Sequence, residues 1–316
     1  MAGHAPPFGD FIQPFQVERL GVRGRLARLG PGLAAAIGPH GYPSPVPALL
    51  AETAALAATL ASTLKFDGIF TLQVQGDGPV GMLMADVTSK GGFRAYARVD
   101  RERLAAAGGN GGADAGRLLG KGYLAFTVDQ GPDTDRYQGI TELQGTTLAE
   151  SAEAYFRQSE QLETAIVTAA SAPAGGRPRA ALIMVQRLPS PGAAAAADDD
   201  AAADDWRRAA ALMASVTAGE LLDPALAPEA LLYRLYHEDG VRVYRTKPLV
   251  HACRCSRDKV MVTLASFQDH DIRDMADDGR VTVTCEFCKA TYAFDVDELT
   301  GRRHGGAGLE RRRATP

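Results

Sequence analysis

Between Phe11 and about Arg187, apolar positions recur with two different periods. Phe70, Leu72 and Val74 alternate with Thr71, Gln73 and Gln75, a period of two that predicts a half-buried strand. Gly76-Asp77-Gly78-Pro79 then has turn chemistry, and Val80 to Val87 reads as a second strand, so the pair predicts a hairpin. Phe93 to Val99 alternates against Arg94 and Arg98 as another strand, and Leu124, Phe126 and Val128 mark one more. Val22 to Leu29 is the first strand of the set. After the Pro-rich turn Tyr42-Pro43-Ser44-Pro45, Leu49, Leu56 and Leu60 share one side of a long helix predicted for Val46 to Lys65. Thr147 with Glu150 is a capping-box signature that opens a helix running through Tyr155, Phe156 and Leu162. Strands joined by short turns, with amphipathic helices between them, predict an α+β fold. Its N-terminal domain, 1–188, is a mainly antiparallel sheet with packed helices.

Beyond this the pattern loosens. Ala105 to Gly116 and Ser171 to Pro178 are small-residue loops. Pro189 to Asp205, with its AAAAADDDAAADD run, reads as a low-complexity linker. Trp206, Ala209, Leu212, Met213 and Val216 then recur at helical spacing, and Leu231, Leu232, Leu235 and Tyr236 do so after Pro228. Asp223-Pro224 and Pro228 break the stretch between them. Residues 189–250 are thus expected to be a linker and a helical region of low stability. A helix-like Phe267 to Met275 and a strand-like Val281 to Thr284 lie in a small C-terminal domain, 251–300. The glycine- and arginine-rich tail, 301–316, is expected to be disordered.

Composition narrows the function classes. The chain has 316 residues, 46% hydrophobic and 23% charged, with a formal net charge of -4, so its overall balance calls for neither nucleic acid nor an anionic membrane. The opening MAGHAPPFGD lacks a secretory signal, and Ala48 to Leu64, interrupted by Glu52, is too short and too polar to span a bilayer. A cytoplasmic location is the expectation. No nucleophile elbow, His-Glu-x-x-His or Walker loop is present; Gly116 to Gly122 (GRLLGKG) has the wrong spacing for one and reads as a turn into a strand. Gln73, Gln75, Gln138 and the Gln158-Ser-Glu-Gln161 cluster read as polar positions that specify the fold.

The informative chemistry lies in four cysteines. Cys253-x-Cys255 is followed, after 29 residues, by Cys285-x-x-Cys288, and no cysteine lies elsewhere. In a reducing compartment, clustered thiols hold metal or do redox chemistry. Two close pairs of thiolates satisfy one tetrahedral Zn²⁺ with no open position. His251 and His270 lie near, but with four sulfurs available they are expected at the surface or behind the ligands. Spacing alone leaves two readings open. The metal is either a staple for a domain too small to fold alone, or a switch, since oxidising its thiolate ligands withdraws the folding energy in one step. A thiol oxidoreductase and a constitutive zinc-ribbon nucleic-acid binder compete with both. Against the first, Cys285-x-x-Cys288 has no thioredoxin-like context. Against the second, the Asp269–Asp278 stretch, with five aspartates, makes a poor surface for phosphate.

The strings Cys253-Arg-Cys-Ser and Cys285-Glu-Phe-Cys-Lys-Ala-Thr-Tyr292 resemble the redox-switch domain of the 33 kDa heat-shock protein family, bacterial redox-regulated holdase chaperones. The N-terminal half is independently similar, through Lys65-Phe-Asp-Gly68, Leu72-Gln-Val-Gln-Gly-Asp-Gly-Pro79, Tyr137-Gln-Gly-Ile140 and Tyr155-Phe-Arg-Gln-Ser-Glu-Gln161. The likeness runs from about Phe11 to Leu299. It implies a substrate-binding domain, a helical linker and a zinc domain that is inactive when reduced. It also implies that oxidants pair Cys253 with Cys255 and Cys285 with Cys288, that zinc leaves, and that the chain dimerises. In that state it would hold unfolding clients without ATP until ATP-dependent foldases take them. Apolar residues of the linker region, Trp206, Leu212, Met213, Leu231, Leu232 and Leu235, are the candidate client contacts. The Ala/Asp-rich linker, the glycine-rich loop and the basic tail depart from the family pattern.

Overall fold

The computed structural model describes residues 8–107, 115–131, 134–189 and 199–305, with backbone alone at 199 and 302–305. Strands β1 (Phe11–Val17) and β2 (Val22–Leu29) form the opening hairpin. Helices α1 (Pro31–Ile37) and α2 (Val46–Ala61) lead into β3 (Ile69–Gly76), β4 (Val80–Thr88) and β5 (Gly92–Val99). Short α3 (Arg101–Ala106) and α4 (Ala115–Leu119) precede β6 (Gly122–Asp129) and β7 (Tyr137–Glu142), after which come α5 (Leu148–Ser159), β8 (Thr164–Ser171) and β9 (Arg179–Arg187). Then follow α6 (Asp199–Ala214), α7 (Ala218–Leu222) and α8 (Pro228–Tyr236), and three short strands, β10 (Val241–Val243), β11 (Lys247–Pro248) and β12 (Val250–His251). The chain divides into two units at Ala252/Cys253. The second unit contains α9 (Arg257–Leu264), α10 (Asp269–Asp274), the hairpin β13 (Arg280–Thr284) and β14 (Thr291–Asp295), and α11 (Val296–Gly305).

The first unit has two six-stranded sheets. One runs β10-β1-β2-β9-β8, with β11 also on β1; the other runs β12-β5-β4-β3-β6-β7. All pairs in both are antiparallel except β12 with β5. The alternation in β3 is what the second sheet needs: Phe70, Leu72 and Val74 are buried on its inner face. Helix α2 packs against strands of both sheets and is buried on nearly every side, which explains why its sequence is Ala- and Leu-rich all round. The first sheet is covered on both faces. Ala27, Leu29 and Leu182 face α2, while Phe15, Leu26 and Ile183 face the helices α6–α8.

The resembling strings meet in space here. Tyr137 and Tyr155 hydroxyls lie 2.8 Å apart and both reach the Glu160 carboxylate. Gly139 passes beneath them, where an added Cβ would come within 2.6 Å of the Tyr155 hydroxyl. The Gly76–Pro79 turn is clamped by the segment that resembled a phosphate loop: Gly78 donates to the Leu119 carbonyl at 2.7 Å, and Lys121 N–H to Asp77 Oδ1 at 2.8 Å. That segment is α4 and the turn into β6, and its glycines serve close backbone packing.

Several expectations change. The first strand is β1, not β2, and the long helix stops at Ala61. The acidic half of the expected linker is helical from Asp199, because aspartates in a first turn favour the helix N-terminus. Order also persists past Gly301: α11 continues to Gly305, anchored by buried Leu299 and Thr300. The small-residue loop is narrower than expected, since α3 ends at Ala106 and α4 begins at Ala115. Residues 108–114, 190–198 and 306–316 lie outside the described set.

The largest change concerns 206–245. This stretch belongs to the first unit, where it forms one wall of a second core rather than standing apart. Leu231 and Leu232 are fully buried, Met213 and Leu235 nearly so, and Trp206 and Leu212 are half-buried. Pairing also ties the stretch down, through β10 and β11 on β1. Arg28, wholly buried on β2, donates to the carbonyls of Leu226 at 2.6 Å and Glu220 at 3.3 Å, pinning the α7–α8 connection. Arg208 does the same for the far end, reaching Asp239 at 3.0 Å and Glu238 at 2.9 Å. An Arg28→Met variant leaves those carbonyls without their donor. It should lose about 2 kcal/mol of stability, with faster hydrogen exchange across 218–236. Unchanged exchange there would show that Arg28 does not hold the helices.

Candidate metal centre

The two halves of the cysteine cluster arrive on different local structures. Cys285 and Cys288 occupy the loop of the β13–β14 hairpin. Cys285 N–H donates to the Ala290 carbonyl at 2.9 Å, and Lys289 N–H to the Cys285 carbonyl at 2.9 Å. Lys289 adopts a left-handed conformation (φ 59°), which turns the chain back and sets both thiols on one side. Cys253 and Cys255 lie on the extended segment that leads into α9. Ser256 caps that helix by accepting from Lys259 N–H at 3.3 Å, and Lys259 Nζ donates to the Arg254 carbonyl at 2.9 Å. Arg257 fastens this arm to the hairpin. It donates to the Ala293 carbonyl at 2.6 Å and to Glu298 at 2.7 Å, and lies over the Phe294 ring at 4.2 Å.

These supports bring all four sulfurs within 4.8 Å of one another. Cys253 and Cys285 Sγ are 3.7 Å apart, and Cys255 and Cys288 Sγ 3.4 Å. A tetrahedral S₄ site with metal–sulfur bonds of about 2.3 Å has sulfur–sulfur edges of about 3.8 Å, so the donor set fits one such ion. None of the four thiols is in a disulfide, and all are half-buried. Burial pushes the Cys255 thiol above its ordinary value, and burial likewise pushes Cys288 up to about 12. Four thiolates this close together repel one another, and a cation at their centre offsets that repulsion. The cluster can therefore hold a metal ion. Neither nearby histidine joins it: His251 packs edge-on against Phe93 in the first unit, and His270 is exposed beside Asp271.

Two residues that the spacing did not single out complete the arrangement. Arg257 is one. Tyr292, on β14, is the other: its hydroxyl donates to Cys255 Sγ at 3.1 Å. A hydrogen bond to a ligating sulfur orients it and tunes its basicity. Tyr292 was visible in sequence only as the last letter of a resembling string. Tyr292→Phe should hold metal about tenfold less tightly in a chelator competition while still folding around it. Unaltered retention would remove Tyr292 from the site.

The unit around the cluster has a small core. Leu264, Ile272, Val281, Phe294 and Leu299 are its buried members among the described residues. So little apolar burial does not ordinarily sustain a fold alone.

Comparison with known proteins agrees in three ways. The family model described as Hsp33 protein matches residues 10–295. The 33 kDa chaperonin of Caulobacter vibrioides is 42% identical over 303 residues, covering 93% of this chain and 99% of the relative. That of Ectopseudomonas mendocina is 36% identical, with 95% and 97% covered. Among solved structures, the 33 kDa chaperonin from Thermotoga maritima superposes with a TM-score of 0.80 at 21% identity, covering 94% of this chain and 99% of that one, which speaks to the fold. Sheets, helices and four-thiol unit thus coincide with a family match over nearly the whole length, and the chain belongs to the Hsp33 family.

Proposed function

We propose that this chain is a redox-regulated, ATP-independent holdase that binds unfolding proteins in the cytoplasm and prevents their aggregation under oxidative stress. The relatives' name, 33 kDa chaperonin, supports a chaperone role. The observation that carries the redox part is the four-thiol tetrahedron in a unit whose buried core, among the described residues, has five side chains. One Zn²⁺, bound in the reduced state, would supply the folding energy that this core lacks. Cys253, Cys255, Cys285 and Cys288 hold it as thiolates, a form that a reducing compartment preserves. No helix among the described residues is long and apolar enough to cross a membrane.

Oxidation converts each pair of thiols to one disulfide. Two electrons per pair go to an oxidant of the peroxide class, which takes up two protons from solvent, since the metal-bound thiolates carry none, and leaves as water. In the reduced tetrahedron the cross-pair sulfurs lie only 3.7 and 3.4 Å apart, so proximity alone does not single out the sequence-adjacent pairs. Chain connectivity does. Cys253 with Cys255 and Cys285 with Cys288 stay near each other when the unit loosens, whereas the cross pairs are separated by a long loop. Loss of the metal-bound unit then destabilises the α6–α8 region. Its buried face, including Trp206, Leu212, Met213, Leu231, Leu232 and Leu235, becomes the client surface. The oxidised chain dimerises and keeps clients until ATP-dependent foldases receive them. In domain terms, 1–188 is the substrate-binding body, 189–250 the responsive region and 251–300 the sensor.

Disulfide mapping by mass spectrometry after peroxide, with zinc counted in parallel, tests this reading. It predicts one zinc per reduced chain and the two sequence-adjacent pairs after oxidation. Retained zinc or cross-linked halves would refute the switch.

A further inference from the structure

Away from the cysteines, the first unit contains a cavity of about 700 Å³ between the start of β1, the end of α2, the β4–β5 turn and β11. Its floor is apolar: Ile12 is 1% exposed, Ala58 1% and Val87 3%. Leu64, 43% exposed, and the half-buried Phe66 stand on one wall. Its mouth is cationic. Lys65, Lys90, Arg245 and Lys247, from three separate segments, line it, and among the described residues no carboxylate does. None of the four makes an ion pair with another described residue, although the chain as a whole carries a formal charge of -4. Asp67, the acidic residue beside Phe66, is outside the lining and accepts from Ser89 Oγ at 3.0 Å.

The mouth is also held in shape. Gly91 has φ +85°, and a Cβ on it would lie 2.5 Å from the Pro248 carbonyl, so the turn bearing Lys90 is packed directly against the strand bearing Lys247. Val250 N–H adds a bond to the Gly91 carbonyl at 3.0 Å. Four cations without ion-pair partners among the described residues, around an apolar-floored concavity of this size, favour a ligand with an apolar body and one anionic head: the body displaces water from the floor while the head meets the rim. We propose that this cavity binds a free small amphipathic anion, of which an aliphatic carboxylate is the simplest case. The site lies on the α2 side of the first sheet, so it is distinct from both the thiol cluster and the α6–α8 face and does not rest on the redox reading.

Calorimetric titration of the reduced full-length protein with sodium dodecanoate, below its micellar concentration, tests the assignment. Saturable one-to-one binding is expected, weakened by added salt. It should also weaken about tenfold in the Lys65→Glu/Lys247→Glu variant, whose side chains are exposed and therefore not needed for folding. Lys90→Glu/Arg245→Glu should act alike from the other members of the mouth. Dodecanol, with the body but no charge, and acetate, with the charge but no body, should each bind far more weakly. Equal binding of dodecanol, affinity unaltered in both variants, several dodecanoates per chain, or retention on anionic vesicles without dodecanoate binding would each overturn it.

Discussion

Replacing Cys288 with serine should strip the metal from the chain and unfold the unit beginning at Cys253, while the two sheets of the first unit stay folded. The hydroxyl at position 288 cannot replace a thiolate as a fourth soft donor. The remaining core, five buried residues from Leu264 to Leu299, does not supply the difference. Loss of an outer partner such as Tyr292 costs up to about a hundredfold in metal affinity, and loss of a ligand itself should exceed that. Two readouts check it: metal content after dialysis against a chelator, and amide exchange in β13 and β14. Stoichiometric metal and protected strands in Cys288→Ser would mean that the sulfurs are neighbours without being ligands.

Leu232→Asp should separate the α6–α8 layer from the first sheet and produce client holding in the fully reduced protein. Leu232 is completely buried in the core that α6–α8 share with β1, β2 and β9. Removing its side chain and burying a carboxylate together cost about 4 kcal/mol or more. The α2 side of the same sheet is a different core and should survive. In an exchange experiment, 199–245 should open while 46–61 remains protected, and the reduced variant should suppress aggregation without peroxide. Fast exchange of 199–245 without any gain in holding would place the client surface elsewhere.

The sequence was most readable where one face of an element is wet. Strands β3 and β5 alternate because their outer face is only half-buried, so their period was plain. By contrast, β9 is buried on both faces from Ala180 to Val185 and reads as an unbroken apolar run with no period. In β1 the pattern is obscured by Gln13, which is polar yet buried because its amide donates to the carbonyls of Pro14 and Tyr244. The two- and three-residue strands β10 to β12 exist only through their partners and carry no signal of their own. The cysteines were legible because four thiols within 36 positions of a long chain have few other uses. Arg28 was not. As one of three arginines on β2, with Arg23 and Arg25, it looks solvated until the fold shows it buried beneath the carbonyls of 220 and 226. The packing of 206–245 onto the first sheet went unread for the same reason. Its prolines and short helices look weak alone, but their apolar faces are complementary to a sheet distant in sequence.

The most direct test follows light scattering from an aggregating client protein in the presence of reduced and peroxide-treated chain, with released zinc measured by a chromogenic chelator in the same samples. Reduced protein should leave aggregation unchecked and retain its metal, whereas treated protein should suppress aggregation as zinc appears in solution. Equal protection before and after peroxide, or protection gained with the metal still bound, would contradict the account.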